Sequence, residues 1–194
     1  MEYKTPEIEN LMKYISEIHP KLKDGLARLE KEAASISLCG SEEGREAVEH
    51  AIVLATGEVV YLRWDVEYLV NYSLLQPERL RLGSPYEIVN TVGAGNSCVL
   101  HKGNSGCVVA LYEGAGTPEI QRSVSYVIVA TLPCMNTRCI MDGNHGFYES
   151  MIENKMVRYF PISGEECMVF LQPESRKFVE LCKEIEKLVV EWWS

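Results

Sequence analysis

The chain holds no apolar run approaching the ~18–20 residues that a membrane span needs. Its opening residues, Met1-Glu2-Tyr3-Lys4-Thr5-Pro6, lack the basic-then-apolar pattern of a secretory signal, so a cytoplasmic location is the expectation. Positive charge is also in short supply. A formal net charge of −9 over 194 residues argues against a broad, non-specific grip on nucleic acid, which depends on Lys and Arg neutralising phosphates. The nearest thing to a basic patch, Arg176, Lys177, Lys183 and Lys187, alternates with Glu180, Glu184 and Glu186 and reads as a solvated helix face. No C-x-x-C pair occurs among the seven cysteines. A metal site drawn from Cys134, Cys139, His145 and Cys167 fits no zinc spacing, and reduced, buried thiols are the better account. The P-loop pattern and the dinucleotide fingerprint are missing too, so Gly93-Ala94-Gly95 and Gly114-Ala115-Gly116-Thr117 read as turns and loops. There is no internal repeat.

What is present is ample apolar material. Hydrophobic residues make up 46% of the chain, enough for a sizeable core and against general disorder. Residues 1–80 read as helical. Thr5-Pro6-Glu7 is a start signal, and Ile8, Leu11, Met12, Ile15 and Ile18 follow the spacing of one buried face. Pro20 breaks this helix. A second segment to about Ile36 carries Leu22, Leu26, Leu29 and Ala33 on one stripe. Ala47 to Ala55 is expected to be a short apolar helix, Thr56-Gly57-Glu58 a turn, and Asp65 to Leu75 a helix. Val59 to Leu62 fits a strand or a longer helix equally.

From Tyr86 the texture changes, and the chain divides on this reading into a helical region over 1–80, either packed on the rest or a domain of its own, and an α+β domain over 81–194. Glycines separate strand-like pieces at Tyr86–Val92, Ser97–His101 and Cys107–Tyr112, with Lys102 to Gly106 as a hairpin turn. Val124 to Leu132 is rich in β-branched residues and is expected to be a strand, as is Arg138 to Met141. A helix from Asn144 to about Asn154, a strand from Met156 to Phe160 and a further strand over Cys167–Leu171 follow. Pro173 to Trp193 closes the chain as an amphipathic helix with Phe178, Leu181, Cys182, Ile185, Leu188 and Val189 on one side. The fold class is therefore α+β: a helical N-terminal half, a mixed sheet with inserted helices, and a C-terminal amphipathic helix.

The densest cluster of chemically capable groups is Arg138-Cys139-Ile140-Met141-Asp142-Gly143-Asn144-His145-Gly146-Phe147-Tyr148. It falls where the pattern passes from strand to helix. Asp142-Gly143-Asn144 is turn chemistry, and the helix start beyond it would offer unpaired amides and a partial positive charge to an anion. The order of an apolar strand, Asp142-Gly143-Asn144-His145, an apolar helix, the turn Glu153-Asn154-Lys155 and the strand opening at Met156-Val157 resembles the ParB/sulfiredoxin-like fold. The resemblance covers about residues 124–162. Where relatives carry an Arg that helps hold a phosphate, this chain has Gly146; Arg138, Lys155 and Arg158 are the cations that would have to replace it.

The resemblance implies an anion, usually phosphate, held at that helix start. The expected function is binding of a nucleotide or another phosphorylated ligand, with phosphoryl transfer or nucleotide hydrolysis as the chemistry and a nucleotide with Mg2+ as the cofactor to test. In that reading Asp142 and His145 are catalytic, and Gly143, Asn144, Arg138 and Tyr148 bind the ligand. The plainer alternative is a tight turn followed by an ordinary early-helix histidine. Two other classes stay open: a non-catalytic partner-binding or immunity-type protein, and a cysteine hydrolase in which Cys98 is the nucleophile and His145 its base. Nucleic acid and membrane are not expected partners.

Overall fold

The computed structural model describes residues 6–38, 47–90, 125–131 and 138–193. The expectations over Ser97–His101, Lys102–Gly106 and Cys107–Tyr112, the loops at Gly93 and Gly114, and Cys98 itself lie outside the described residues. Two helices open the chain, α1 (Pro6–Ile18) and α2 (Lys23–Ala33), joined by a single turn of 3-10 helix at Pro20–Leu22. Most of the apolar stripes read from their spacing are buried, with Ile8, Leu11, Met12 and Ile15 on α1 and Leu26 and Ala33 on α2, whereas Ile18 at the end of α1 is exposed and Leu29 half-buried. Gly25 lets α2 come close to the last helix, since a Cβ there would meet Leu188 at 3.0 Å.

A hairpin of β1 (Ala47–Val53) and β2 (Val59–Asp65) follows, paired antiparallel from Ala47↔Asp65 to Val53↔Val59. This corrects the helix expected over Ala47–Ala55 and settles Val59–Leu62 as strand. The burial of β2 alternates, with Val60, Leu62 and Trp64 inward. That period of two is the strand signal which the apolar richness of the region obscured. Asp65 then caps α3 (Val66–Leu74), its carboxylate accepting from the Tyr68 amide at 3.0 Å.

The second sheet has four strands in the order β3 (Arg81–Gly83), β6 (Val157–Ile162), β4 (Val127–Thr131), β5 (Arg138–Asp142). β4 runs parallel to β6 and antiparallel to β5, and β3 runs antiparallel to β6, so the sheet is mixed. Tyr86–Val92, expected as a strand, instead contains α4 (Pro85–Asn90). Ser84 starts it: its hydroxyl accepts from the Glu87 amide, and the Glu87 carboxylate accepts from the Ser84 amide. This reciprocal capping outweighs the β-preference of Tyr86, Ile88 and Val89. Between β5 and β6 lies α5 (Asn144–Ile152). It ends on Asn154 at φ 51°, with Lys155 N–H donating to Ser150 O and Asn154 N–H to Met151 O. Asn tolerates that left-handed conformation, and the two bonds satisfy carbonyls the helix leaves open.

Gly164–Phe170, partly expected as a strand, is a 3-10 helix with Cys167, Met168 and Phe170 buried. Only Leu171 makes a strand-like bridge, to Trp64. The long helix α6 (Pro173–Trp193) then closes the fold.

β4 divides the core. Val127 and Val129 face one side with Ile140, Val157, Phe147 of α5 and Ile88 of α4. Ile128 and Ala130 face the other, where they join a larger cluster drawn from α1, α2, the hairpin, β6, the 3-10 helix and α6. A central strand buried on both faces needs an apolar residue at every position, which is why Val127–Ala130 reads as a continuous run. That larger cluster runs from Ile8 to Val189, so the N-terminal helices and the mixed sheet share one hydrophobic interior.

Candidate functional site

The Asp142–Gly143 turn sits where β5 ends and β4 begins. Gly143 is the N-cap of α5 and has φ 84°, ψ 20°, the left-handed region that favours glycine. Space makes the same demand: a Cβ at Gly143 would lie 2.9 Å from the Tyr126 carbonyl oxygen and 3.0 Å from Val127 Cα. The turn is thus pressed against the backbone that leads into β4. Asp142 is half-buried, and its Oδ1 accepts from the Gly143 amide at 2.7 Å. The carboxylate ties its own turn; it does not cap the helix.

Beyond it, Asn144, His145 and Gly146 occupy the first three positions of α5. The first intrahelical bond runs from Phe147 N–H to Gly143 O at 3.0 Å. The three amides before Phe147 have no acceptor within the helix. Gly143 has no side chain to supply one, and the first turn carries no acidic residue. The other described α-helices differ: Glu7 and Glu9, Asp24, Glu67, Glu87 and Glu174 stand in the first turns of α1, α2, α3, α4 and α6. A carboxylate there complements the partial positive charge of a helix start. In α5 that complement is absent from the first turn.

The expected site residues are brought together unevenly. Asp142, Gly143, Asn144 and His145 are consecutive at the turn, and Tyr148 stands one helical turn beyond Asn144. Arg138 opens β5 opposite Thr131, four residues before Asp142, which is roughly 13 Å along a strand. The side chains of Asn144, His145, Tyr148 and Arg138 lie outside the described residues. Lys155 is exposed and ion-paired with Glu153 at 2.7 Å; that hydrogen bond raises its pKa. Arg158 is exposed on β6 and paired in register with Leu82. Gly146 has open space: nothing lies within 4 Å of a Cβ built there. Cys167 is buried and donates to Gly164 O at 3.0 Å, so its thiol is engaged in the core. Among the described residues, no group of three His, Cys, Asp or Glu side chains could hold a metal ion.

A second polar cluster escaped the sequence reading. Arg79 donates to both carboxylate oxygens of Glu166, with Nη2 to Oε2 at 2.8 Å, and also to Pro161 O at 3.0 Å, Tyr72 OH at 3.1 Å and Gln76 Oε1 at 3.2 Å. Tyr72 OH donates to the same carboxylate. The guanidinium carbon lies 4.8 Å from the centre of the buried Phe160 ring. The hydrogen-bonded guanidinium holds the Glu166 carboxyl below its usual range, with partial burial opposing and the Tyr72 hydroxyl assisting. The pKa of Arg79 is raised in turn, chiefly by its bond to Glu166. A guanidinium so fully occupied has little left to offer a ligand, and the cluster acts as a clamp in which Arg79, at the end of a 3-10 turn over Pro77–Arg79, joins α3, β6 and the 3-10 helix Gly164–Phe170. Residues 79 and 166 are 87 positions apart, and no spacing rule connects them.

No protein-family model, curated protein or solved structure matches this chain. No helix among the described residues is long and apolar enough to cross a membrane.

Proposed function

We propose that the protein binds a nucleotide or another phosphorylated small molecule at the start of α5, in the manner of a ParB/sulfiredoxin-like domain. The observation that carries this reading is the uncapped start of α5. Its N-cap is a left-handed glycine without a side-chain cap, and no carboxylate stands in its first turn. Three backbone N–H groups and the partial charge of the helix suit an anion. In this reading the amides of Asn144, His145 and Gly146 receive the phosphate, and His145 hydrogen-bonds it or exchanges a proton with it. Asp142 fixes the turn through Gly143 N–H. In the same reading its carboxylate handles a substrate proton. Phosphoryl transfer and nucleotide hydrolysis are the reactions such a site would serve.

Isothermal titration with ATP and Mg2+, comparing wild type with His145→Ala, tests the proposal. Binding by the wild type that weakens at least tenfold in the variant supports it. A wild type that takes up no nucleotide, or a variant that binds unchanged, sinks it.

One observation favours the rival reading of a partner-binding protein. Tyr68 and Leu75 stand seven residues apart on one face at α3 and are 51% and 81% exposed. Loss of a partner on Leu75→Asp, with nucleotide affinity unchanged, would establish that reading instead.

A further inference from the structure

The candidate turn is tied to α3 by a pair of hydroxyls, and we propose that this pair sets the position of the α5 start. Ser73 is 1% exposed, and its Oγ lies 2.8 Å from Tyr126 OH. The single hydroxyl proton of Ser73 is committed to Val70 O at 2.8 Å. Tyr126 is therefore the donor to Ser73, and the direction of the bond is fixed. The Tyr126 ring packs 6.5 Å from Phe160, so the side chain is held along its length. At its other end, the Tyr126 carbonyl and Val127 Cα form the wall against which Gly143 is pressed, at 2.9 and 3.0 Å from a Cβ built on that glycine. The approach leaves no room for even a Cβ between the two backbones, and in this proposal that closeness couples them: a shift of the Tyr126 backbone carries Gly143 and the cap of α5 with it. The neighbouring residue Tyr72 holds the Glu166 clamp. Consecutive residues of α3 thus hold the 3-10 helix over Gly164–Phe170 and the backbone that leads into β4, and Tyr126 is a positioning residue for the turn. Its effect on a ligand rests on the phosphate site proposed above; its effect on the turn does not.

Amide hydrogen exchange on Tyr126→Phe tests this directly. Loss of one such hydrogen bond should raise exchange at Phe147 N–H, the first bonded amide of α5, by roughly fivefold. Amides of α6 and β2 should keep their wild-type rates, which separates positioning from a general loss of stability. Ser73→Ala removes the same link from the other side and should reproduce the effect, so a poorly folded Tyr126→Phe does not end the test. Affinity for ATP should fall by a similar factor in both variants. Unchanged exchange at Phe147, or acceleration spread evenly through the molecule, overturns the proposal. A wild type that binds no ATP removes the phosphate reading alone, while the exchange data still decide the coupling.

Discussion

Three glycines form a matched set in which the structure assigns each a different cost. Gly143 has φ 84° and a backbone wall at 2.9 Å; Gly57, in the hairpin turn, has φ 88° and nothing within 4 Å; Gly146 has no positive φ and nothing within 4 Å. Placing an L side chain in the left-handed region costs about 1–2 kcal/mol. Forcing an extra methyl against a packed backbone costs about 1–3 kcal/mol more. Gly143→Ala should therefore destabilise by ~2–5 kcal/mol and Gly57→Ala by only ~1–2 kcal/mol. Gly146→Ala should stabilise by up to ~1 kcal/mol, because alanine is the better helix former and meets no obstruction. Against the ~5–15 kcal/mol typical of a domain, the first change is severe and the other two are mild. Urea unfolding followed by circular dichroism gives all three from midpoint and slope. The decisive comparison is between the two positive-φ sites. If Gly143→Ala costs no more than Gly57→Ala, the Tyr126–Val127 wall yields freely and the tight approach is not a constraint.

The Arg79–Glu166 clamp is open to two tests. With both side chains 28% exposed, solvent moderates the pair, and Arg79→Met should cost ~1–3 kcal/mol in urea unfolding; a change under ~0.5 kcal/mol would reduce the cluster to a surface ion pair. Because folding lowers the Glu166 pKa, its stabilisation is complete above the ordinary glutamate value of ~4.3 and is lost as pH falls through the folded value. Acid unfolding should thus move to higher pH in Arg79→Met, and an unchanged acid midpoint would refute the linkage. Gly146→Arg should raise phosphate affinity by ~10-fold or more, since a Cβ at 146 meets nothing within 4 Å and a charged donor strengthens an anion contact. Affinity equal to wild type in a folded variant would count against an anion at that helix start.

The elements that were legible in the sequence are those whose periodicity matches a single buried face. α1, α2 and α6 each repeat apolar residues at helical spacing and bury most of that stripe; α3 was legible as a helix, but it buries Leu69 and leaves Leu74 53% exposed. β4 was legible for the opposite reason, as a β-branched run apolar at every step and buried on both faces. The misreadings share a cause. Ala47–Val53 and Tyr86–Asn90 are short and apolar, and their types were decided by pairing with the next strand in the first case and by a local cap in the second. The first pairs residue by residue with β2, which supplies its ladder. In the second, Ser84 and Glu87 fix a helix start that the apolar composition hides. The strand–turn–helix geometry at Asp142–Asn144 was readable because glycine beside Asp and Asn is turn chemistry wherever it occurs. The clamp was not, because its partners meet only after α3, β6 and the 3-10 helix have packed together.

Packing also changes what the Asp-Gly pair can be taken to mean. Gly143 is required twice over, by its φ and by the Tyr126 carbonyl, before any ligand is considered. Asp142 is likewise occupied, bonding the very next amide. Both residues would be needed by a turn that did nothing but join β5 to α5. They are therefore poor witnesses to function, although they are the conspicuous part of the motif. The weight falls on what the turn leaves behind: three amides of Asn144, His145 and Gly146 with no helical acceptor, no first-turn carboxylate, and open space at residue 146. A purely structural turn gains nothing by leaving a helix start uncapped, since a Ser, Thr, Asp or Asn cap is worth about 1 kcal/mol. At this position the left-handed backbone and the Tyr126 wall forbid such a cap. The same constraint that fixes the glycine thus leaves α5 without a side-chain cap, and that missing cap is the feature on which the proposed anion site rests.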